Sequence, residues 1–126
     1  LGIFDTVIMM GGNLALLADT KRGKRLLERF DRITGPKARI IGETRDPYAT
    51  DDPTHLAYHR LNARRGPMPG QVRLRVRYRE FIGPWFDYML VSQDELRGLL
   101  EGTNWTMSQT IDSDSPAYAA VIEKKR

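Results

Sequence analysis

The sequence predicts an α/β fold built on an incomplete parallel sheet, and three observations predict it. Residues 4–10, Phe4-Asp5-Thr6-Val7-Ile8-Met9-Met10, are apolar on both faces, as a strand in the middle of a parallel sheet is when helices cover it on each side. A strand, a helix and a second strand follow within residues 4–42, a crossover unit whose two strands run parallel. Beyond them, residues 72–123 hold alternating strand patterns around one capped helix.

The first strand runs into Gly11-Gly12-Asn13. Glycine permits a tight exit from a strand, and asparagine tolerates positive φ. A short apolar stretch, residues 14–18, leads to Asp19-Thr20, either of which can cap a helix through its side-chain oxygen. Leu26, Leu27, Phe30 and Ile33 then recur at helical spacing, with Arg22, Arg25, Arg29 and other cations on the solvent side. Gly35-Pro36 is expected to stop this helix, the glycine in a left-handed conformation. Residues 38–42 form the second apolar strand, followed by Glu43-Thr44-Arg45.

Residues 46–70 lose the regular pattern. Asp46-Pro47-Tyr48, Asp51-Asp52-Pro53 and Gly66-Pro67-Met68-Pro69-Gly70 bracket a short helix over 54–64, and a connection this long inside a compact domain is functional or mobile. Val72, Leu74, Val76 and Tyr78 next alternate with Arg73, Arg75, Arg77 and Arg79, which predicts one half-buried antiparallel strand with four guanidiniums on its outer face. Gly83-Pro84 is expected to turn it, and residues 85–91 to return as its hairpin partner. Ser92-Gln93-Asp94-Glu95 has capping-box spacing ahead of Leu96, Leu99 and Leu100, with Gly102 as terminator. Residues 105–111 and 118–123 read as two closing strands joined by the turn-rich Asp112-Ser113-Asp114-Ser115-Pro116.

With 126 residues the chain is one domain's worth of material. No apolar run approaches the ~20 residues that span a bilayer, no leader pattern is visible at the start, and a cytoplasmic protein without membrane contact is expected. The absence of Cys removes disulfides, thiolate nucleophiles and Cys-ligated zinc. Net charge is +4, yet Asp and Glu are interspersed along most of the chain, so the balance alone does not mark a nucleic-acid footprint. Only three residues precede the first strand, and the chain opens on Leu1. The expectation is a piece of a longer protein whose other half of the sheet lies upstream.

In order of elements and in sequence, the chain resembles the C-terminal half of a class I S-adenosylmethionine-dependent methyltransferase. Phe4-Asp5-Thr6-Val7 with its Gly11-Gly12-Asn13-Leu14 turn, the helix end Leu27-x-x-Phe30-x-x-Ile33-Thr34-Gly35-Pro36 and the strand Arg39-Ile40-Ile41-Gly42-Glu43 carry the resemblance. Trp85-Phe86-Asp87-Tyr88, Glu95-Leu96 and the final strand pair add to it. The resemblance implies a Rossmann-like partial sheet, family strands 4–7 with the last antiparallel beside the fifth, plus an inserted β-hairpin. The family's glycine-rich turn after its first strand and the acidic residue ending its second have no counterpart here, so the N-terminal cofactor-binding half is missing.

The resemblance makes Gly11, Gly12, Asn13 and Leu14 the remaining border of an S-adenosylmethionine pocket, at the carboxyl end of a strand where open α/β sheets bind ligands; a purely structural turn is the other reading. It also implies that this piece alone binds the cofactor weakly or not at all and is inactive. Methyl transfer needs positioning more than covalent help, so a base is optional. Asp46, Tyr48, His55 and His59 are the candidates if one is used, since their segment follows the second strand's carboxyl end and histidine titrates near neutrality. Alternatively, His55 and His59 sit one turn apart on a surface helix without a catalytic role. Their spacing suits a metal, but no Glu lies between them, and no metal is expected.

The acceptor, a small molecule or a macromolecule, is left open. Two rival functions remain: a nucleic-acid-binding module using Arg73, Arg75, Arg77 and Arg79 with the interleaved Tyr78, and a non-enzymatic interaction domain. The plainer reading of the arginines is a solvated face paired with Glu80 and Asp87 or with the absent half of the longer protein. Trp85 and Trp105 are both expected in or near the core. An apolar first strand without its neighbour would present unpaired backbone groups, which predicts a homo-oligomer joined there.

Overall fold

The structure is a computed structural model that describes residues 3–50, 52–66 and 68–125; Leu1, Asp51 and Pro67 among the residues named above lie outside the described residues. Strand β1 (Phe4–Met9) runs into a 3-10 helix (Asn13–Leu17) and helix α1 (Thr20–Arg32), and β2 (Thr34–Arg45) follows. Next come α2 (Pro53–Arg65), the short strands β3 (Gln71–Leu74), β4 (Arg77–Tyr78), β5 (Phe81–Ile82) and β6 (Phe86–Met89), then α3 (Gln93–Leu100), β7 (Trp105–Asp112) and β8 (Ala117–Lys124).

Four strands form the main sheet in the order β1-β2-β8-β7. β1 and β2 are parallel, with Met9 opposite Gly42, while β8 is antiparallel to both β2 and β7. Three strands therefore run one way and the last in sequence runs the other, the Rossmann-like partial sheet that the sequence predicts. Along β8, Tyr118, Ala120 and Ile122 are buried at period two and pack with Ile40, Leu27, Leu96 and Trp105 into one core. The two polar tips in that core are satisfied: Trp105 Nε1 donates to the Leu27 carbonyl at 2.9 Å and Tyr118 Oη to the Val91 carbonyl at 2.8 Å.

Local signals explain the helices. Asp19, rather than Thr20, caps α1 by accepting from the Arg22 amide at 2.7 Å. Asp52 caps α2, with Pro53 in its first turn, and left-handed Gly66 closes it. At α3 both halves of the capping box form, Glu95 N–H donating to Ser92 Oγ at 3.2 Å and Ser92 N–H to Glu95 Oε1 at 3.0 Å.

Several expectations are corrected. Gly35 is not in the left-handed region; α1 ends at Ile33 instead, and Gly35-Pro36 already belongs to β2. The β1–β2 register slips there, from Phe4 opposite Thr34 to Thr6 opposite Arg39, so the proline, which has no N–H, falls in an irregularity where none is needed. The arginine strand is broken at Arg75-Val76. Its first part, β3, pairs with β6, and its second, β4, pairs with β5 around a turn at Arg79-Glu80 where Arg79 has φ 53°. Gly83-Pro84 therefore does not make the hairpin turn. Of the apolar alternates only Val72 is half-buried; Leu74, Val76 and Tyr78 are exposed, the last two at 59% and 65%. Trp85 is likewise outside the core, 53% exposed, with the Arg75 guanidinium 4.5 Å from its ring centroid.

Asp87 lies opposite Arg73 across β3 and β6, but its carboxylate makes its ion pair elsewhere. It accepts from Arg22 of α1 at 2.7 Å, tying the β3/β6 ribbon to that helix. At the ribbon's base the Leu90 N–H donates to the Gly70 carbonyl at 2.9 Å, and a Cβ on Gly70 would overlap the Leu90 carbonyl oxygen.

Candidate functional site

Because β1 and β2 are parallel, their carboxyl ends lie on one edge of the sheet, and the chemistry-bearing residues gather there in two groups. The first is the exit of β1. Gly11 and Gly12 both have positive φ, 68° and 81°, a conformation other residues adopt only at a cost. The Gly12 carbonyl accepts from Tyr88 Oη of β6 at 2.6 Å, and a Cβ on Gly12 would sit 2.7 Å from that same oxygen. At Gly11 a Cβ would meet nothing within 4 Å, so the turn borders open space. Asn13 is exposed, and its side chain makes no hydrogen bond among the described residues. Leu14 differs: its side chain is buried and lies over Gly42, where a Cβ would be 2.9 Å from Leu14 Cδ1.

The second group surrounds a cavity of about 300 Å³ between the end of β2, α2 and the ribbon, lined by Asp46, Thr50, His55, Tyr58, His59 and Val72 among others. Three of the four predicted base candidates thus line one cavity. His59 meets the Tyr48 ring edge-on, centroids 5.9 Å apart. Tyr48 does not line the cavity; its hydroxyl donates to Glu95 Oε2 at 2.7 Å. Desolvation of that hydroxyl, followed by the Glu95 hydrogen bond and charge, pushes the phenol well above its ordinary range, so it stays protonated and acts as a donor. Asp46 folds back to accept from the Tyr48 amide at 2.9 Å, which fixes the turn. His55 is held loosely, its Nδ1 3.3 Å from Thr50 Oγ1 and its Nε2 4.0 Å from Asp52.

The glycine turn and the cavity are separate: none of Gly11, Gly12, Asn13 or Leu14 lines the cavity. The ribbon connects them, since Val72 lines the cavity and its cross-strand partner Tyr88 reaches Gly12. Sequence reasoning missed Tyr88 in this role, and it missed Asn62, whose buried amide donates to the carbonyls of Met68, Pro69 and Gln71 at 3.3, 3.2 and 2.6 Å and anchors the loop into β3. An asparagine late in an otherwise exposed helix was the available signal for the latter. No group of three or more His, Cys, Asp or Glu among the described residues is placed to hold a metal, and none of the described helices is long and apolar enough to cross a membrane.

An open α/β sheet with a glycine turn at the carboxyl end of a strand defines a class of ligand-binding domains, and comparison with solved structures narrows it. The chain is similar to a SAM-dependent methyltransferase from Bacteroides fragilis in complex with S-adenosyl-L-homocysteine, with TM-score 0.78 and 16% identity over 99% of this chain and 49% of that one. It is also similar to the CcbJ methyltransferase from Streptomyces caelestis (TM-score 0.65, 9% identity, 98% and 62% covered). A methyltransferase from Methanosarcina mazei gives TM-score 0.65 at 15% identity, with 96% and 59% covered. The chain thus spans about half to three fifths of the length of these proteins, and its fold is that of a partial SAM-dependent methyltransferase domain. No protein-family model and no curated protein matches the sequence.

Proposed function

We propose that this chain is the C-terminal portion of an S-adenosylmethionine-dependent methyltransferase working in the cytoplasm on a small-molecule or macromolecular acceptor. The observation that carries the reading is the fold match over 99% of the chain to a methyltransferase holding S-adenosyl-L-homocysteine. The strand exit fits such a cofactor in part: Gly11 faces open space and the Asn13 amide is free to donate and accept. S-adenosylmethionine, when bound, supplies an electrophilic methyl whose sulfonium leaves as a neutral thioether.

The chain's own residues have three tasks in this reading. Gly11, Gly12 and Asn13 border the cofactor, and the Tyr88–Gly12 hydrogen bond holds that turn in shape. The cavity behind α2 receives the acceptor and orients it. His59, oriented by the Tyr48 ring, takes the proton that a nucleophilic N–H or O–H loses on methylation, with His55 and Asp46 lining the same cavity.

Calorimetric titration of the full-length protein with S-adenosylmethionine tests this. Binding is expected for the full-length protein, weakened several-fold or more by Asn13→Ala, and weak or undetectable for residues 1–126 alone. Full-length protein that takes up no heat at millimolar cofactor overturns the proposal.

A further inference from the structure

On the face of the ribbon away from the cavity, an open groove of about 660 Å³ runs between α1 and the strands β3 and β6. Arg22, Arg25 and Arg29 of α1, one or two turns apart on the helix, form one wall; Arg73 and Trp85 stand on the other. Arg22 is neutralised by Asp19 and Asp87, at 2.8 and 2.7 Å. Arg25, Arg29 and Arg73 are exposed, and among the described residues none has a carboxylate within ion-pair distance. Asp87 also lines the groove, opposite Arg73, but its carboxylate is taken by Arg22, so three guanidiniums without an ion pair leave the groove net positive and attractive to anions.

The chemistry continues past the groove. Arg75 stacks on Trp85 at 4.5 Å and Arg79 on Tyr78 at 5.2 Å, and Tyr78 and Phe81 at the hairpin tip are 65% and 67% exposed. Isolated phosphate would need the arginines only. The hairpin also exposes Val76 and Ile82, at 59% and 48%, but Arg75, Arg77 and Arg79 are interleaved with these apolar side chains and with the rings along an extended ribbon, an arrangement that a purely apolar lipid-inserting tip would not have. Guanidiniums for the backbone and spaced aromatic faces for the bases are what a single-stranded polynucleotide uses.

We propose that the α1/β3 groove and the hairpin beyond it form a binding surface for single-stranded nucleic acid. Phosphates sit against Arg25, Arg29 and Arg73 while bases stack on Trp85 and, further out, on Tyr78 and Phe81. This surface is distinct from the β1 exit and the cavity, and the proposal stands whether or not methyl transfer is confirmed.

The test is fluorescence anisotropy of a labelled 12-nucleotide single strand titrated with full-length protein between 25 and 200 mM salt, alongside a blunt duplex of the same sequence and heparin. Micromolar binding at low salt is expected, an order of magnitude typical of sequence-independent contacts, with log affinity falling linearly against log salt. The combined substitution Arg25→Ala, Arg29→Ala, Arg73→Ala is expected to flatten that slope by about 0.7 per arginine removed, and Trp85→Ala to weaken binding roughly ten-fold. Circular dichroism checks that both variants keep the native fold, and their exposed positions predict that they do. No binding at 25 mM salt overturns the proposal. So does equal or tighter binding of the duplex, an unchanged slope in the triple variant, or heparin bound as tightly with Trp85→Ala silent, which would leave a polyanion surface only.

Discussion

Lys124 ends β8 with its ammonium turned inward, 8% exposed, and spends all three donors: on the Asp31 carboxylate and on the backbone carbonyls of Asp31 and Thr34, each at 2.9 Å. Its hydrogen bond holds the Asp31 carboxyl below the ordinary value of 3.8, helped by the Asn104 amide and opposed by desolvation. A carboxyl depressed in the folded state adds stability above its unfolded value and loses it as pH falls through the folded one. Stability is therefore expected to decline as pH drops below 3.8, and Asp31→Asn, less stable at neutral pH, should decline less steeply there; calorimetric melting between pH 2 and 7 compares the two. Nothing near Lys124 in sequence announces its partners, which lie some 90 positions away. Trp105 was legible as a core residue because an alternating strand surrounds it. Trp85 was not, because its burial depends on whether the hairpin folds onto the core, and the break at Arg75-Val76 carries it outward.

At the scale of elements, most local signals and the pairing of the main sheet were legible, and the pairing within the ribbon was not. The box at Ser92 and Glu95, the Asp52-Pro53 start of α2 and the left-handed glycines that close α2 and follow α3 all act within a few residues. β3 to β5 depended on which backbone groups find each other, and period-two alternation is silent on where a strand breaks. Glu95 adds a connection beyond its cap, since one oxygen takes the Ser92 amide and the other the Tyr48 hydroxyl. Ser92→Ala is expected to cost about 1 kcal/mol, seen as a lower urea midpoint with unchanged slope. Asp46, His55 and His59 of the cavity were legible as a set, since they lie on one stretch of 46–59, whereas Val72 and Leu90 come to it from the ribbon and its base. Their separation from Gly11–Leu14 was not, because it follows from where the ribbon crosses the sheet edge.

Across the whole molecule the strand order followed from the resemblance, while the state of β1 follows from physics. Among the described residues β1 pairs with β2 alone, and Ile8 on its surface is 68% exposed. An apolar edge of this kind pairs with whatever strand is offered, so we propose self-association of this chain through β1. Equilibrium sedimentation of residues 1–126 at tens of micromolar, a working range for weak association, should show dimers or larger species, and Ile8→Lys should return monomers; a monodisperse wild-type monomer contradicts the proposal. At the root of the ribbon, finally, the Leu90 carbonyl occupies the place where any side chain at Gly70 would begin. One added methyl there would act as a lever under both strands at once, lifting Tyr88 from Gly12 on one side and Asp87 from Arg22 of α1 on the other. Two surfaces with unrelated chemistry thus share a single mechanical fulcrum.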